Sequence, residues 1–357
     1  MKAITNHPAD NGEVATPGSK TIREIALEAG VSTATVSRVL NNLEGVSAKR
    51  REAVMQVVAR HDYVSHRMAG ALAGGRSMAI GLVIPTITNS IYAASTQAIQ
   101  RVAQRASYSV LLGVSDFDPE EEVRMIRRLV ERRVDGLILT GGGRDPAIYR
   151  LLDRHSIPFV VTWRMEGAPN CPCVSFDNYG AGRLAMVHLL DLGHRRIGLI
   201  CGRSEVNDRA LERRNAYEDA LVAAGIRVDG SLIFERDFEF IEGQTAMLRM
   251  LSHADPPTAV FAANDIQAIG AISACREKGL DVPLDVSVIG FDDLPVAEFT
   301  FPKLTTIHVP GDRMGHIAAL RLFEMIGGEL EPLSEVLPVE LVHRQSTGPA
   351  KENRTLA

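Results

Sequence analysis

The stretch that decides the N-terminal fold is TIREIALEAGVSTATVSRVL, residues 21–40. Its first half places apolar side chains at i, i+3, i+4 and i+7, which predicts one face of a short helix. These side chains are Ile22, Ile25, Ala26 and Ala29. Thr21 is a candidate N-cap and Gly30 a candidate C-terminal cap. The same spacing recurs after Ser32 and predicts a second helix, with Val36, Val39, Leu40 and Leu43 on its apolar face.

A third helix is predicted from Ser47, with Val54, Val57 and Val58 facing inward. Two short helices that are joined by Ala29-Gly30-Val31 and braced by a third predict a helix-turn-helix. The second helix would then enter the major groove of double-stranded DNA. The alternative is a small helical bundle that contacts another protein.

Candidate DNA-contacting side chains lie on the second predicted helix. Arg38 can make a bidentate contact to guanine, worth about 1–3 kcal/mol of discrimination. Ser32 has Thr35 rather than an acid three residues later, so we expect the start of this helix to be open to a phosphate. The other candidates for DNA contact in this domain are Thr21, Ser32, Thr33, Ala34, Thr35, Ser37 and Asn41.

The segment 20–76, which we call the head, differs in net charge from the rest of the chain, which we call the body. Residues 20–76 carry nine Lys and Arg against five Asp and Glu, a net charge of +4. The whole chain carries −5, so the remainder carries −9. A basic head on an acidic body favours contact between the head and a polyanion. Residues 1–19 have no periodicity and contain Pro and Gly, so we expect a disordered tail.

Beyond residue 78, short apolar segments alternate with amphipathic, charged ones. The strand candidates are Ile80–Ile84, Val110–Val114, Gly136–Thr140, Phe159–Val161, Val174–Phe176, Ile197–Cys201, Ala259–Ala262 and Val286–Gly290. This alternation predicts parallel sheets with helices on both faces. The length of 357 residues fits two or three domains, and 45% hydrophobic with 23% charged residues is typical of globular chains.

With these segments in place, the chain resembles the lactose-repressor (LacI) family of bacterial transcription regulators from about residue 20 to residue 347. The resemblance rests on Thr21-Ile-Arg-Glu-Ile-Ala, Gly30-Val-Ser, Thr35-Val-Ser-Arg-Val-Leu-Asn41, Val46-Ser and Gly81-Leu-Val-Ile-Pro85. It implies a small all-α helix-turn-helix domain followed by a two-lobed, periplasmic-binding-protein-like α/β domain. The chain would cross between the lobes near residues 177 and 306.

We therefore divide the chain into five segments. They are a disordered tail (1–19), a DNA-binding domain (20–64), a hinge helix and linker (65–77), an effector-binding and dimerisation domain (78–347) and a C-terminal tail (348–357). The resemblance implies that Ala69-Gly70-Ala71-Leu72 is a hinge helix that folds on operator DNA and places Leu72 into the minor groove. Arg67 and Ala69 join the expected DNA contacts. Gly70 stands where the family usually has Arg or Gln, so we expect a hinge that is less ordered off DNA than in typical relatives.

Polar residues that follow the predicted strands are candidates for a ligand site, because ligands of parallel sheets bind beyond the carboxyl ends of the strands. Asp265 and Asp292 follow two such strands, and carboxylates there can accept hydrogen bonds from sugar hydroxyls. The resemblance implies effector contacts at Asn89, Tyr92, Arg209, Arg213, Phe238, Asp265 and Asp292. Phe238 is equally a candidate core residue, and Arg209 and Arg213 are alternatively surface charges.

Only the charge of the cleft restricts the class of effector. Many relatives have an acid at the Trp163-Arg164 position, so its loss and the added Arg164 make the cleft more cationic. If the arginines face inward, a sugar acid or a phosphorylated metabolite fits better than a neutral sugar. Because one recognition helix reads few base pairs, we expect a homodimer on a palindromic operator, and the resemblance implies an interface on helices that begin near Tyr92 and Ala268.

Enzyme signatures are incomplete in this sequence. Gly141-Gly-Gly-Arg-Asp-Pro146 lacks the third glycine of a dinucleotide fingerprint, and Gly202-Arg-Ser204-Glu-Val206 lacks the closing glycine of a nucleophile elbow. The four cysteines have neither disulfide nor metal spacing, so no cofactor or metal is expected. No secretory signal or membrane span is predicted, so we expect a cytoplasmic protein that joins the nucleoid when bound to its operator.

The patterns favour a sequence-specific, effector-controlled DNA-binding regulator, with repression as the expected mode, over an enzyme. The alternative is a cytoplasmic sugar-binding or sugar-processing protein whose basic head serves another purpose. The two differ in one measurable property, since operator binding with a steep salt dependence belongs only to the first.

Overall fold

The computed structural model describes residues 20–40, 44–63, 76–165, 172–328 and 334–351. Contacts within the chain separate two compact units, with the division between Ser77 and Met78. The expected disordered tail at 1–19 and the hinge residues 65–75 lie outside the described residues.

The first unit consists of three helices, α1 (Ile22–Glu28), α2 (Thr33–Leu40) and α3 (Ala48–Arg60). A capping box starts α1, because the Thr21 hydroxyl accepts from the Glu24 amide and the Glu24 carboxylate accepts from the Thr21 amide. Gly30 follows α1 with φ +64°, the left-handed conformation that glycine adopts without strain. The predicted apolar faces meet in one core of Ile25, Ala26, Val36, Val39, Val54 and Val57.

The second unit alternates strands and helices. Its strands are β1 (Ala79–Ile84), β2 (Ser109–Val114), β3 (Gly136–Thr140), β4 (Phe159–Thr162), β5 (Cys173–Ser175), β6 (Ile197–Cys201), β7 (Ile233–Glu235), β8 (Ala259–Ala262), β9 (Ser287–Ile289), β10 (Thr306–His308), β11 (Glu335–Val336) and β12 (Glu340–Val342). Its α-helices are α4 (Ser90–Arg105), α5 (Pro119–Glu131), α6 (Pro146–Arg154), α7 (Asn178–Asp191), α8 (Asp208–Ala223), α9 (Phe240–Leu251), α10 (Asp265–Glu277) and α11 (Gly311–Gly327).

Two parallel sheets define the two lobes. The first lobe contains a six-stranded sheet in the order β11-β5-β4-β3-β1-β2, and the second a four-stranded sheet in the order β7-β6-β8-β9. All eight strands predicted from apolar runs are present. The expected fold class, an all-α head before a two-lobed α/β body, is therefore confirmed.

The chain passes between the lobes three times among the described residues. It leaves β5 for α7, returns from β10 to α11, and passes back from β11, which pairs with β5, to β12, which pairs with β10. The third passage was not predicted, because β11 and β12 are too short to show a periodicity.

The C-terminal tail was predicted to begin at residue 348, which is too early. Ala350 is buried and donates its amide to the Leu192 carbonyl, so residues 348–351 belong to the packed body.

Candidate functional site

The polar face of α2 is presented to solvent. Thr33, Ala34 and Arg38 are exposed, whereas Val36 and Val39 on the opposite face are buried in the core of the head. Thr35 and Ser37 are half-buried beside this face. Asn41, Arg67, Ala69 and Leu72 lie outside the described residues, so the structure tests no expectation about them.

The start of α2 is less open than predicted. The Ser32 Oγ accepts a hydrogen bond from the Thr35 amide at 3.2 Å and lies 2.9 Å from the Thr35 hydroxyl. We expected the amides at the start of α2 to be free to bind a phosphate. That expectation is wrong for the Thr35 amide, because the Ser32 side chain already accepts its hydrogen bond. Thr21 is likewise engaged in the capping box with Glu24.

A cation that the sequence analysis missed borders the same surface. Arg50, on α3, is exposed and lines a surface groove together with Ser32 and Thr35. The groove thus joins the start of α2 to the first turns of α3. The run Lys49-Arg50-Arg51 was the available signal, since basic clusters mark contacts to a phosphate backbone.

In the body, six of the seven expected effector residues meet in one place. We call this space the inner chamber; its lining is Asn89, Ile91, Tyr92 and Trp163 from the first lobe and Asn207, Arg209, Arg213, Phe238, Asn264 and Asp292 from the second. Its volume is about 10 Å³, room for about one water molecule. A sugar-sized ligand therefore enters only when the lobes separate or the lining side chains withdraw.

Arg213 is held rigidly in this chamber. Its Nη1 donates to the Ala263 carbonyl at 2.7 Å, and Nε and Nη2 both donate to the Asn178 side-chain oxygen at 3.2 and 3.0 Å. The guanidinium carbon lies 3.8 Å from the ring centre of Phe291, a cation–π contact. Burial lowers the pKa of Arg213. These contacts fix the plane of the guanidinium, so it is preorganised for a ligand.

Asp292 is the carboxylate of the chamber. Asn264 Nδ2 donates to its Oδ2 at 2.6 Å, and its backbone φ of +112° is rare for a residue with a side chain. Burial raises the pKa of Asp292 to about 6, against the opposing effects of Arg213 and of hydrogen bonds from Asn264 and Asn89.

Asp265 does not reach the chamber, which corrects the prediction that it contacts the effector. It is fully buried, and it accepts hydrogen bonds from the Thr306 hydroxyl at 2.6 Å and from the Leu294 amide at 2.7 Å. Burial raises its pKa well above the usual range. The preceding residue, Asn264, lines the chamber instead.

Asp208, directly before Arg209, joins the lobes at the edge of the chamber. Its Oδ2 accepts from the Gly142 amide and from Arg164 Nη1, each at 2.8 Å, and its Oδ1 accepts from Arg209 Nη1 at 2.8 Å. Burial raises the pKa of Asp208, but Arg209, the Gly142 amide and Arg164 outweigh it and lower the pKa overall. Arg164 is thus paired with an acid, and it does not make the cleft more cationic as predicted.

Membrane spans and metal centres are absent from the part of the chain that the structure describes. No helix there is long and apolar enough to cross a lipid bilayer. No group of three or more His, Cys, Asp or Glu side chains in those ranges is placed to hold a metal ion. His194 is buried, and its ring nitrogens lie within hydrogen-bond distance of the Thr258 and Ser287 hydroxyls and the Gly348 carbonyl.

Comparison with known proteins gives matches to both units. A family model described as bacterial regulatory proteins, lacI family, matches residues 21–66, and one described as periplasmic binding protein-like domain matches residues 186–347. The HTH-type transcriptional repressor PurR of Haemophilus influenzae (strain PittEE) is 35% identical over 325 residues, which are 90% of this chain and 95% of PurR.

Solved structures match over most of the chain as well. The lac repressor dimer bound to operator and the anti-inducer ONPF superposes with a TM-score of 0.80 at 30% identity, covering 92% of this chain and 99% of the repressor chain. A complex of the transcriptional regulator CelR with cellobiose matches with a TM-score of 0.68 at 33% identity, covering 92% and 99%.

Proposed function

This chain belongs to the lacI family of bacterial regulatory proteins, and from that premise we propose that it is a repressor that binds a palindromic operator as a homodimer under the control of a sugar-like effector. Like its relatives, it is a DNA-binding transcription regulator and not an enzyme. The operator, the dimer and the effector are the proposed parts. Because the target is operator DNA, we also propose that the protein acts in the cytoplasm.

The exposed face of α2 supports the operator contact. Thr33, Ala34 and Arg38 are assigned to base edges in the major groove, and Arg50 to the phosphate backbone beside them. From the sequence alone, Asn41, Arg67 and Ala69 join this set, and Leu72 is assigned to the minor groove. Such a contact combines direct reading of bases with a bend in the DNA.

The inner chamber supports an effector with hydroxyl groups and one anionic group. Two buried guanidiniums, Arg209 and Arg213, line the inner chamber with one carboxylate, Asp292, and Asp208 at its edge pairs with Arg209. Guanidiniums suit the carboxylate of a sugar acid or the phosphate of a phosphorylated sugar, which supports that class of effector over a neutral sugar. That charge arrangement is the observation that carries the effector proposal.

Exposed apolar residues support dimerisation through a second copy of the chain. On the first lobe, α4 presents Ala93 and Ala94 to solvent, and Leu112 on edge strand β2 is 47% exposed. Helix α10, the other expected interface, offers little free surface, since it packs against α9 and is mostly buried. Among the described residues of the second lobe, the exposed aromatic side chains are Phe240, Phe299 and Phe301. We therefore assign the second-lobe part of the dimer interface to these residues rather than to α10.

Control by the effector follows from the cleft. The chamber is built from both lobes, so a ligand in it changes the balance between open and closed arrangements. In a dimer, that change alters the spacing of the two hinges and hence the affinity for operator. The coupling is reciprocal: an effector that weakens operator binding is itself bound less tightly by the DNA complex.

The test is substitution Leu72→Ala in the full-length protein. We expect the variant to dimerise and to bind effector as the parent does, while its specific operator affinity falls by at least tenfold. Sedimentation and an operator-binding titration measure the two properties. Unchanged operator affinity would show that Leu72 is not the minor-groove residue. No specific DNA binding by the parent protein would instead favour the sugar-binding alternative.

A further inference from the structure

A second space lies at the mouth of the cleft, outside the inner chamber. We call it the outer chamber; its volume is about 440 Å³, within the range of small-molecule sites, and Thr86 and Phe117 line it from the first lobe and Arg203, Arg236 and Phe238 from the second. It shares Asn207 and Phe238 with the inner chamber. A ligand that starts in the inner chamber can therefore continue into the outer one without leaving the cleft.

Two phenylalanine rings face each other in the outer chamber, one from each lobe. The ring centres of Phe117 and Phe238 are 5.8 Å apart, and the ring planes are tilted by 46°. Both side chains are half-buried, and neither belongs to a hydrophobic core cluster of the described residues. Gly202 lies directly beneath Phe238, where any side chain would collide with the ring. The pair is therefore an apolar surface at the cleft rather than core packing.

The loop that carries Phe117 is held in an unfavourable backbone conformation. Asp116 and Phe117 have φ angles of +53° and +59°, and successive left-handed residues with side chains are rare. The loop is tied down by the Ser115 amide, which donates to the Ile84 carbonyl, and by the Asp118 amide, which donates to the Ser115 carbonyl. Such strain clusters at ligand sites, where it fixes the position of a side chain. Here the two hydrogen bonds hold the backbone of the loop that carries Phe117.

The charges of the outer chamber are largely paired within the protein. Arg203 Nη2 lies 3.0 Å from Asp237 Oδ2, and Arg236 Nε lies 3.5 Å from Glu242 Oε2. Exposed acids, Asp116 and Asp118, add negative charge at the rim. The outer chamber therefore disfavours a second anionic group. Paired polar groups around an apolar ring surface suit a neutral sugar ring, with its hydroxyls at the edge and its C–H face on the aromatic side chains.

We propose that the effector is a carbohydrate of at least two rings, bound with its second, uncharged ring against Phe117 and Phe238 in the outer chamber. This inference rests on the effector site proposed above, and it adds the length of the ligand and the residue Phe117. The first unit occupies the inner chamber near Arg213 and Asp292 once the lining side chains have withdrawn, so Phe117 and Phe238 keep their contact across the cleft. A single-ring ligand would leave the Phe117–Phe238 surface uncovered.

Matched one-ring and two-ring sugars test the proposal on the full-length protein. The probes are glucose, galactose, glucuronate and glucose 6-phosphate against cellobiose, lactose, maltose and trehalose 6-phosphate, and the readout is the fluorescence of Trp163. This residue is the one tryptophan of the sequence, and it is buried in the wall of the inner chamber. Titrations of the parent, Phe117→Ala and Ile87→Ala give the affinities. Ile87 is 62% exposed on a neighbouring loop and does not line the outer chamber, so its variant is the control.

The proposal predicts binding of at least one two-ring probe that is tenfold or more tighter than that of its one-ring counterpart. Phe117→Ala should remove that advantage, and Ile87→Ala should retain it. A one-ring probe that binds as tightly as its two-ring partner, with no effect of Phe117→Ala, would overturn the inference and leave the proposed function standing. Binding of none of the probes would overturn both the inference and the sugar-like effector.

Discussion

Arg164 of the first lobe and Asp208 of the second form an ion pair across the cleft, with 2.8 Å between Nη1 and Oδ2. The Gly142 amide donates to the same oxygen at 2.8 Å. Asp208 is followed directly by Arg209, which lines the inner chamber. One of the contacts between the lobes is therefore made by the residue that directly precedes a residue assigned to the effector.

Removal of this contact should loosen the cleft. In Asp208→Ala the hydrogen bonds from Arg164 and Gly142 are lost, and since both partners are mostly buried we expect a loss of about 1–3 kcal/mol in the free energy of unfolding. Asp208→Asn retains an acceptor for the Gly142 amide, so its loss should be smaller. Urea unfolding measures the stability, and acrylamide quenching of Trp163 measures the opening. Equal quenching in all three proteins would show that Asp208 does not hold the cleft closed.

Asp292 should make stability depend on pH in a recognisable window. Its pKa is raised to about 6 in the folded protein, against about 3.9 for an unperturbed aspartate. Between these values the folded state binds more protons than the unfolded state, so the free energy of unfolding falls as pH rises from about 4 to about 6 and is then level. The size of this effect is about 2–3 kcal/mol.

The variant Asp292→Asn isolates that effect. It cannot titrate, so its stability relative to the parent should rise between pH 4 and 6.5 and stay constant above. Urea midpoints of both proteins across this range give the difference directly. Parallel curves would mean that Asp292 has an ordinary pKa and is better hydrated than its burial implies.

Gly141→Ala should damage the effector site specifically. Gly141 has φ +75°, and a Cβ there would collide with Arg209 Nη1. Gly143→Ala is a matched control, because Gly143 has φ +72° but a Cβ on it would lie 3.8 Å from the nearest atom, Arg164 Nη1. Both variants should lose similar stability through backbone strain. Only Gly141→Ala should also weaken effector binding, by tenfold or more in a Trp163 titration, and equal affinities would exclude Arg209 from the site.

Arg38 and Arg50 should differ in how their loss affects DNA binding. Arg38→Ala should reduce affinity for the operator about 10- to 100-fold and relax specificity at one base pair, since a bidentate contact to guanine is lost. Arg50→Ala should weaken specific and non-specific binding alike and reduce the salt dependence by about one charge. Titrations at several salt concentrations separate the two patterns. The same loss of specificity in both variants would contradict the assigned roles.

Local sequence patterns correctly predicted the strands that are buried and apolar throughout. The runs at Gly136–Thr140, Ile197–Cys201 and Ala259–Ala262 form strands with the predicted bounds, because each is a buried strand of a parallel sheet and is apolar throughout. Strands β11 and β12 were missed because they have two and three residues and depend on pairing with distant strands.

The residues of the inner chamber and its edge were predicted less completely than the strands, because the sequence does not show side-chain directions or pairings between distant residues. Asn264 and Asp265 both follow β8, so the position of the strand end does not distinguish them. The direction of the side chain does, and it turns Asp265 inward to Thr306, 41 residues further along the chain. Arg164 was predicted to add charge to the cleft, but its partner Asp208 is 44 residues away in sequence. Such pairings are visible only once the two lobes are in place.

The most direct test of the regulator account is selection of fragmented genomic DNA on the purified protein at moderate salt, with and without a pool of one-ring and two-ring sugars and sugar acids. The account predicts enrichment of a short palindrome with a deformable central step, and a change in that enrichment when the sugars are present. No enrichment under either condition, from a protein shown to be folded and dimeric, would contradict it.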